Sequence, residues 1–476
     1  MYYFADICEL MINFAKNQDI NTMDIKLKPD LDRRRALKLM GATALSATLA
    51  GCAGKGSENI MGLGKTVALS ESDVPTDKMT YSTLNEDKVS LLGFGCMRFP
   101  TTPDGKIDEV AAERLVDYAM AHGVTYYDTA WPYHGGASEL TIGRCLKKYD
   151  RKSFYLANKM PTWAIDKKSK IKEIFEKQLE KCQVDYFDYY LLHNLQTLKD
   201  YKKVYEEFGG LDYLLRQKKR GKIRKLGWSF HGDMELFKYV LAQDVEWDFV
   251  QIQINYNDWN HARVPSKELY ELLTERNIPI VVMEPLLGGR LARLNEQAIR
   301  LFHEAEPTLS NASWAFRFLG SLPNMLTVLS GMTYMEHLQD NIKSFSPLKP
   351  LTQDEFNMCL EAADLLNKYQ TIPCTDCKYC VPCPYGVDIP KIFSFYNKIV
   401  NHENLIRANG EQDKEWMEKR KIFLTDYNRA VPKIAQADKC IACRECVPLC
   451  PQMIDIPRQL QRVDKLAEDL KLTIKH

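Results

Sequence analysis

The sequence predicts an α/β chain, a (β/α)8 barrel followed by a mainly helical, cysteine-rich domain. Three observations predict it. Eight short apolar runs alternate with segments of helical period between residues 79 and 350. Three successive runs lead into Asp128, Lys159 and His193, which sets three ionisable side chains at one mouth of a parallel barrel. Eight of the 14 cysteines fall between Cys374 and Cys450 in two tight groups, a metal-ligand spacing rather than a disulfide framework.

At 476 residues the chain has room for a barrel and a smaller appendage, and 45% hydrophobic content supplies the core. Its 64 basic and 63 acidic residues leave a net charge of +1, and no long like-charge run gives nucleic acid a footprint. Residues 1–22, with Cys8, carry no motif, and Met23 is the expected start. Next come Arg33-Arg34-Arg35, a modest apolar stretch and Leu49-Ala-Gly-Cys52, the layout of a bacterial twin-arginine signal with a lipoprotein cleavage site. The apolar stretch falls short of the roughly 20 residues needed to span a bilayer. Residues 1–52 are therefore expected to direct export to the cell envelope, with membrane contact only through lipid on Cys52. A basic amphipathic start on a cytoplasmic protein is the alternative. Residues 53–78, rich in Gly, Ser and charge, read as a tether.

The barrel strands are expected at Leu91–Phe94, Val124–Asp128, Phe154–Asn158, Phe187–Leu192, Arg224–Ser229, Phe249–Ile254, Ile280–Glu284 and Leu326–Ser330. Helical period marks Glu109–Ala121, Lys168–Gln183, Tyr201–Gln217 and Val264–Arg276. No Gly-x-Gly-x-x-Gly follows the first strand, which argues against an open dinucleotide-binding sheet. The second strand stops on Asp128, Tyr133 follows in a loop, and a helix opens near Ser138. Taken alone, this stretch equally suits a capping Asp and a packing Tyr.

From Leu91 to about Ser344 the chain resembles the aldo/keto reductase family. The resemblance rests on Gly123-Val-Thr-Tyr-Tyr-Asp128-Thr-Ala, Tyr133, Ser138-Glu139-x-x-Ile-Gly143, Lys159 and Leu192-His193. Gly221-Lys-Ile-Arg-Lys-Leu-Gly-Trp-Ser229, Met283-Glu-Pro-Leu-Leu-Gly-Gly, Ser330-Gly-Met and Asp340-Asn341-Ile extend it. It implies four catalytic positions: Asp128, Tyr133, Lys159 and His193. Reducing a carbonyl needs a hydride on carbon and a proton on oxygen. Tyr133 would be the general acid, its phenol made more acidic by Lys159, with Asp128 orienting the lysine and His193 bonding the substrate oxygen. A buried Asp–Lys pair beside a satisfied His is the structural alternative. The resemblance also implies NADPH or NADH as cofactor, held by Ser229, Gln251, Ser330 and Asn341. Met283 stands where an aromatic often stacks on the nicotinamide, and His337 where NADPH-preferring members carry Arg; Lys343 is a poorer phosphate fork.

The tail holds Cys374-x2-Cys377-x2-Cys380-x2-Cys383-Pro and Cys440-x2-Cys443-x2-Cys446-x3-Cys450-Pro. The second is the bacterial ferredoxin run, whose last Cys ligates the other cluster; the first is one residue short before its fourth Cys. One or two 4Fe-4S clusters are expected, two being favoured, with zinc held by four thiolates as the rival. Under the sharing rule Cys374, Cys377 and Cys380 pair with Cys450, and Cys440, Cys443 and Cys446 with Cys383. Gln353–Tyr369 reads as a helix leading to Pro373, and helical text between the motifs, Lys391–His402 and Gln412–Ile422, makes residues 351–476 resemble an α-helical ferredoxin. Cys96, Cys145, Cys182 and Cys359 read as small core residues, and Trp131 is expected near substrate. The leading function is an enzyme that acts on a small carbonyl or alcohol and exchanges electrons with its own clusters. A redox protein is an expected partner. A plain nicotinamide reductase with structural or redox-sensing clusters, and a non-catalytic electron-transfer protein on a barrel scaffold, are the competing readings.

Overall fold

A computed structural model describes residues 74–83, 86–260, 264–402, 405–406, 410 and 412–472. Cys8, Met23, Arg33, Arg34, Cys52 and the tether up to residue 73 lie outside the described residues. Eight parallel strands close into a barrel in sequence order, and β8 returns to pair with β1. They are β1 (Leu92–Gly95), β2 (Tyr126–Asp128), β3 (Tyr155–Pro161), β4 (Phe187–Leu195), β5 (Ile223–Phe230), β6 (Phe249–Gln253), β7 (Ile280–Met283) and β8 (Met325–Ser330).

Side-chain alternation builds two layers. Tyr126, Ala157, Tyr189, Leu191, Phe249 and Val281 form one buried cluster inside the barrel. Their strand neighbours Tyr127, Leu156, Tyr190, Leu192, Val250 and Val282 join the core beneath the surrounding helices. Gly227 in β5 is needed where Phe249 fills the interior, since a Cβ there would stand 2.2 Å from the Phe249 carbonyl oxygen.

Two strands run further than their apolar text. The β3–β4 ladder continues through Lys159↔Leu191 and Pro161↔His193, so Lys159 and His193 lie within strands rather than just beyond them. The helix expected over Tyr201–Gln217 is broken. A turn at Leu198–Tyr201 passes into a π-helical segment, Lys202–Glu207, and Gly209 at φ +70° restarts the chain as Gly210–Lys219. The helix Gln353–Asn367, grouped above with the tail, contributes Cys359, Ala362 and Ala363 to the barrel core. Cys96, Cys145, Cys182 and Cys359 are all buried.

The tail has a core of its own, formed by helices Ile389–Asn401, Lys414–Ala430 and Ile456–Leu472. Phe395 anchors it, 5.1 Å from Phe423 and 5.0 Å from Tyr427 between ring centres. Two copies of one loop plan are built onto this core. Cys383-Pro-x-x-Val-Asp-Ile-Pro and Cys450-Pro-x-x-Ile-Asp-Ile-Pro each lead into a helix. Left-handed residues recur at matching places: Asp376 and Lys378 in the first loop, Ala442 and Arg444 in the second. Such turns gather successive backbone N–H groups to one side, which suits an anionic group. The missing residue before Cys383 therefore leaves the loop plan intact. Among the described residues no helix is long and apolar enough to cross a membrane.

Candidate active site and cysteine loops

Asp128 closes β2, and the 3-10 turn Tyr133–Gly136 follows, with His134 and Gly135 at positive φ folding the loop back over the mouth. Lys159 reaches across from β3 and is fully buried. Its Nζ donates to Asp128 Oδ1 at 2.5 Å, to the Thr129 carbonyl at 2.9 Å and to Tyr133 Oη at 3.3 Å. An ammonium has three protons, and here each has one acceptor. Burial pulls the Lys159 ammonium down and pushes the Asp128 carboxyl up, and the ion pair opposes both shifts.

The expected direction for Tyr133 is overturned. Burial pushes its phenol well above the usual range, and the longer contact to Lys159 does not reverse this. Tyr133 is thus held as the protonated phenol, with Lys159 within reach of its oxygen. His193 packs edge-on to Tyr133 with ring centres 6.2 Å apart. Burial, then the nearby Lys159 charge, holds it well below the ordinary histidine range, so it is neutral. Its Nδ1 is buried without a partner, as is Asp128 Oδ2. The four positions named from the sequence are therefore brought together.

Trp131 does not join them. Its ring packs instead under Lys181 at 4.7 Å, which pairs with buried Glu139. Trp163 takes the expected place, with its ring centre 5.0 Å from His193 and 6.1 Å from Tyr379. Tyr379 belongs to the first cysteine loop, and its hydroxyl lies next to that of Tyr133. Neither residue carried a sequence signal, because Tyr379 is an unspecified position of the Cys-x2-Cys pattern and Trp163 follows a strand end.

The cysteine loops roof the mouth. Arg98, after β1, donates to the Thr375 carbonyl at 2.5 Å and pairs with Asp376 at 3.7 Å. Arg290, after β7, donates to Thr371 at 2.7 Å. Gln253, ending β6, accepts from the Gln452 amide at 2.9 Å, and His231, after β5, meets the Pro451 backbone.

Cys374, Cys377, Cys380 and Cys450 line one cavity, together with Phe393 and Ile456. Cys446 has Cys440, Cys443 and Cys383 as its near thiol neighbours, and burial with their charge pushes it up to about 11. These two groupings are those of the sharing rule. Among the described residues no three His, Cys, Asp or Glu side chains converge as ligands of a single ion would. Three cysteines at Cys-x2-Cys-x2-Cys spacing with a fourth from the other loop are the donor sets of a two-cluster 4Fe-4S arrangement.

Of the residues expected to hold nicotinamide, Ser229 and Gln251 are register partners on β5 and β6. The Gln251 Oε1 is buried without a partner, which would suit a carboxamide N–H. Ser330 and Asn341 instead satisfy each other at 2.9 Å. Ser229 Oγ likewise accepts from the Asn194 N–H at 2.8 Å, so as they stand three of the four expected contacts are engaged with protein partners.

A family model described as the aldo/keto reductase family matches residues 91–364. The chain belongs to that family. A second, described as a 4Fe-4S dicluster domain, matches residues 373–455, which include all eight loop cysteines. The protein is thus an aldo/keto reductase-type oxidoreductase joined to an iron–sulfur domain. Among curated relatives, the probable aldo-keto reductase 1 of Glycine max is 27% identical over 42% of this chain and 57% of its own length. The L-galactose dehydrogenase of Arabidopsis thaliana is 26% identical over 56% of this chain and 88% of its own. The holo form of an aldo-keto reductase from Bacillus halodurans superposes with a TM-score of 0.50 at 25% identity, covering 60% of this chain and 96% of that one.

Proposed function

We propose that the barrel interconverts a small carbonyl compound and its alcohol, and that it exchanges electrons with clusters held by its own cysteine loops. The observation that carries this reading is the buried Asp128–Lys159–Tyr133 chain lying directly under the first cysteine loop. A substrate oxygen seated between Tyr133 and neutral His193 would receive the Tyr133 proton, and Lys159 would steady the phenolate left behind. Asp128 keeps the lysine aimed at Tyr133. The overall conversion takes two electrons and two protons: Tyr133 would supply the proton on oxygen, and solvent the proton on carbon as the electrons arrive. Iron–sulfur clusters, when present, carry one electron each, so two per chain match the count. Cys374, Cys377, Cys380 and Cys450 would hold one, and Cys383, Cys440, Cys443 and Cys446 the other. Around the second loop Cys443, Ile441 and Met453 are exposed, which favours it as the side that meets a redox partner protein.

The unpartnered Gln251 Oε1 favours a second reading, a nicotinamide-dependent reductase whose clusters are structural. Steady-state assays with a panel of aldehydes separate the two. Turnover supported by reduced clusters without added NADPH or NADH favours the first reading, and turnover only with a dinucleotide favours the second. In either case Tyr133→Phe should lower turnover by about 10²- to 10⁴-fold. Turnover within twofold of the parent would remove Tyr133 from its role.

We also propose that the chain is exported in its folded form. Clusters are assembled where iron and sulfide are supplied, and ligand capture is coupled to folding. An exported cluster protein therefore suits a route for folded chains, which agrees with Arg33-Arg34 and with a lipid on Cys52.

A further inference from the structure

We propose that the segment Thr375–Tyr379 of the first cysteine loop selects the electron donor. While seated it closes the barrel mouth to nicotinamide dinucleotides, so the pocket is served by the cluster that the same loop holds. This rests on the reading of the barrel as a carbonyl–alcohol oxidoreductase coupled to its clusters.

The segment meets the barrel at Thr375–Asp376, between the loops after β8 and β7, and at Tyr379. At the β8 side, Arg98 holds the Thr375 carbonyl and Asp376. The same arginine lies against Gly331, the residue after Ser330, so closely that a Cβ on Gly331 would stand 3.0 Å from its side chain. At the β7 side the two backbones touch. A Cβ on Gly288, which sits at φ +66°, would fall 2.1 Å from the Thr375 carbonyl oxygen. No ligand chain passes between them. At the centre Tyr379 stands against Trp163, with its hydroxyl beside that of Tyr133.

The floor residues are divided accordingly. Ser330 and Asn341 are buried and bonded to each other, Ser330 next to the Gly331 that Arg98 lies against, and buried Gln251 has one oxygen unpaired. The loop is also tightly shaped, with Asp376 and Lys378 left-handed between Cys374 and Cys380. Its seating is therefore tied to the three cysteines that flank Tyr379. A dinucleotide can reach Gln251 only if Thr375–Tyr379 lifts, which makes the two occupants mutually exclusive.

The test uses the full chain, loaded with iron and sulfide under anaerobic conditions, with NADPH and NADH as probes. Calorimetric titration compares the parent with Arg98→Ala and with Tyr379→Ala, each checked for parental iron and sulfide content. The expected result is affinity at least tenfold higher in the variants than in the parent. Hydrogen–deuterium exchange of residues 371–380 in the parent, with and without dinucleotide, keeps the test open if a variant fails to load. Any binding to the parent should raise exchange in that segment. The proposal is overturned if a dinucleotide binds the parent with exchange there unchanged, or if parent and variants have equal affinity, including none. Because the readout is binding, such a failure leaves the Tyr133 assignment standing, whereas loss of that assignment would appear as undiminished turnover in Tyr133→Phe.

Discussion

Asp128→Asn removes the one charged acceptor bonded to a fully buried ammonium. In the parent, Lys159 Nζ has acceptors at 2.5, 2.9 and 3.3 Å, and of these only the nearest carries charge. The variant keeps the shape but leaves Lys159 with neutral acceptors. Breaking a buried pair from one side costs about 3–5 kcal/mol. The alternative is for the lysine to release its proton on folding. An unfolded lysine titrates near 10.4, and each unit is worth about 1.36 kcal/mol, so folding with a neutral lysine at pH 7 costs about 4.6 kcal/mol. The two routes agree in size. They also fix the sign of the pH dependence. A lysine whose folded pKa lies below its unfolded value binds the extra proton in the unfolded state, so stability rises with pH towards about 10.4. The variant should gain about 1.4 kcal/mol per unit between pH 7 and 9, more steeply than the parent. Anaerobic urea unfolding at pH 7, 8 and 9 measures this. A loss below about 1 kcal/mol with no slope would mean that the pair is not sealed from water, and the reasoning would fail.

Chemical analysis should find about eight iron and eight acid-labile sulfide per chain, and Cys443→Ser should lose one cluster while the barrel stays folded. Zinc without sulfide would refute the cluster reading. Burial holds His193 neutral in the folded chain, whereas an unfolded histidine takes a proton near pH 6.5, so stability should fall as pH drops below that value. His193→Gln should therefore lose less stability than the parent between pH 7 and 5; parallel curves would contradict this. Arg33→Lys with Arg34→Lys should leave cluster-filled protein in the cytoplasm, and Cys52→Ala should abolish lipidation. A native chain that is cytoplasmic and still begins before Arg33 would end the export proposal.

The barrel was legible because its strands are apolar runs of the right length and spacing, and every expected strand is present within a few residues. The site was legible because Asp128, Lys159 and His193 stand towards the same ends of neighbouring strands, each two residues beyond the partner of the one before, as Asp128↔Ala157 and Lys159↔Leu191 show. The break at Gly209-Gly210 was written in the sequence but outweighed by the helical period around it. Trp163 in place of Trp131 was not legible, because both follow strand ends and only packing against Lys181 separates them. Docking of the cysteine loops on the mouth was beyond sequence reasoning for a different reason. Arg98 and Thr375 meet across 277 residues of chain, and no periodicity encodes a contact between two separately built cores. Burial raises the Tyr133 phenol, and Tyr379 of the first cysteine loop adds to the shift.

One measurement bears most directly on the coupling of barrel and clusters. The loaded chain is reduced anaerobically, freed of reductant and mixed with an aldehyde, while cluster absorbance and alcohol are followed together over a single turnover. The clusters should reoxidise as alcohol forms, two electrons for each molecule, and Tyr133→Phe should slow both by about 10²-fold or more. Clusters that stay reduced in the parent across the aldehyde panel, or reoxidise equally fast without Tyr133, would contradict the coupling.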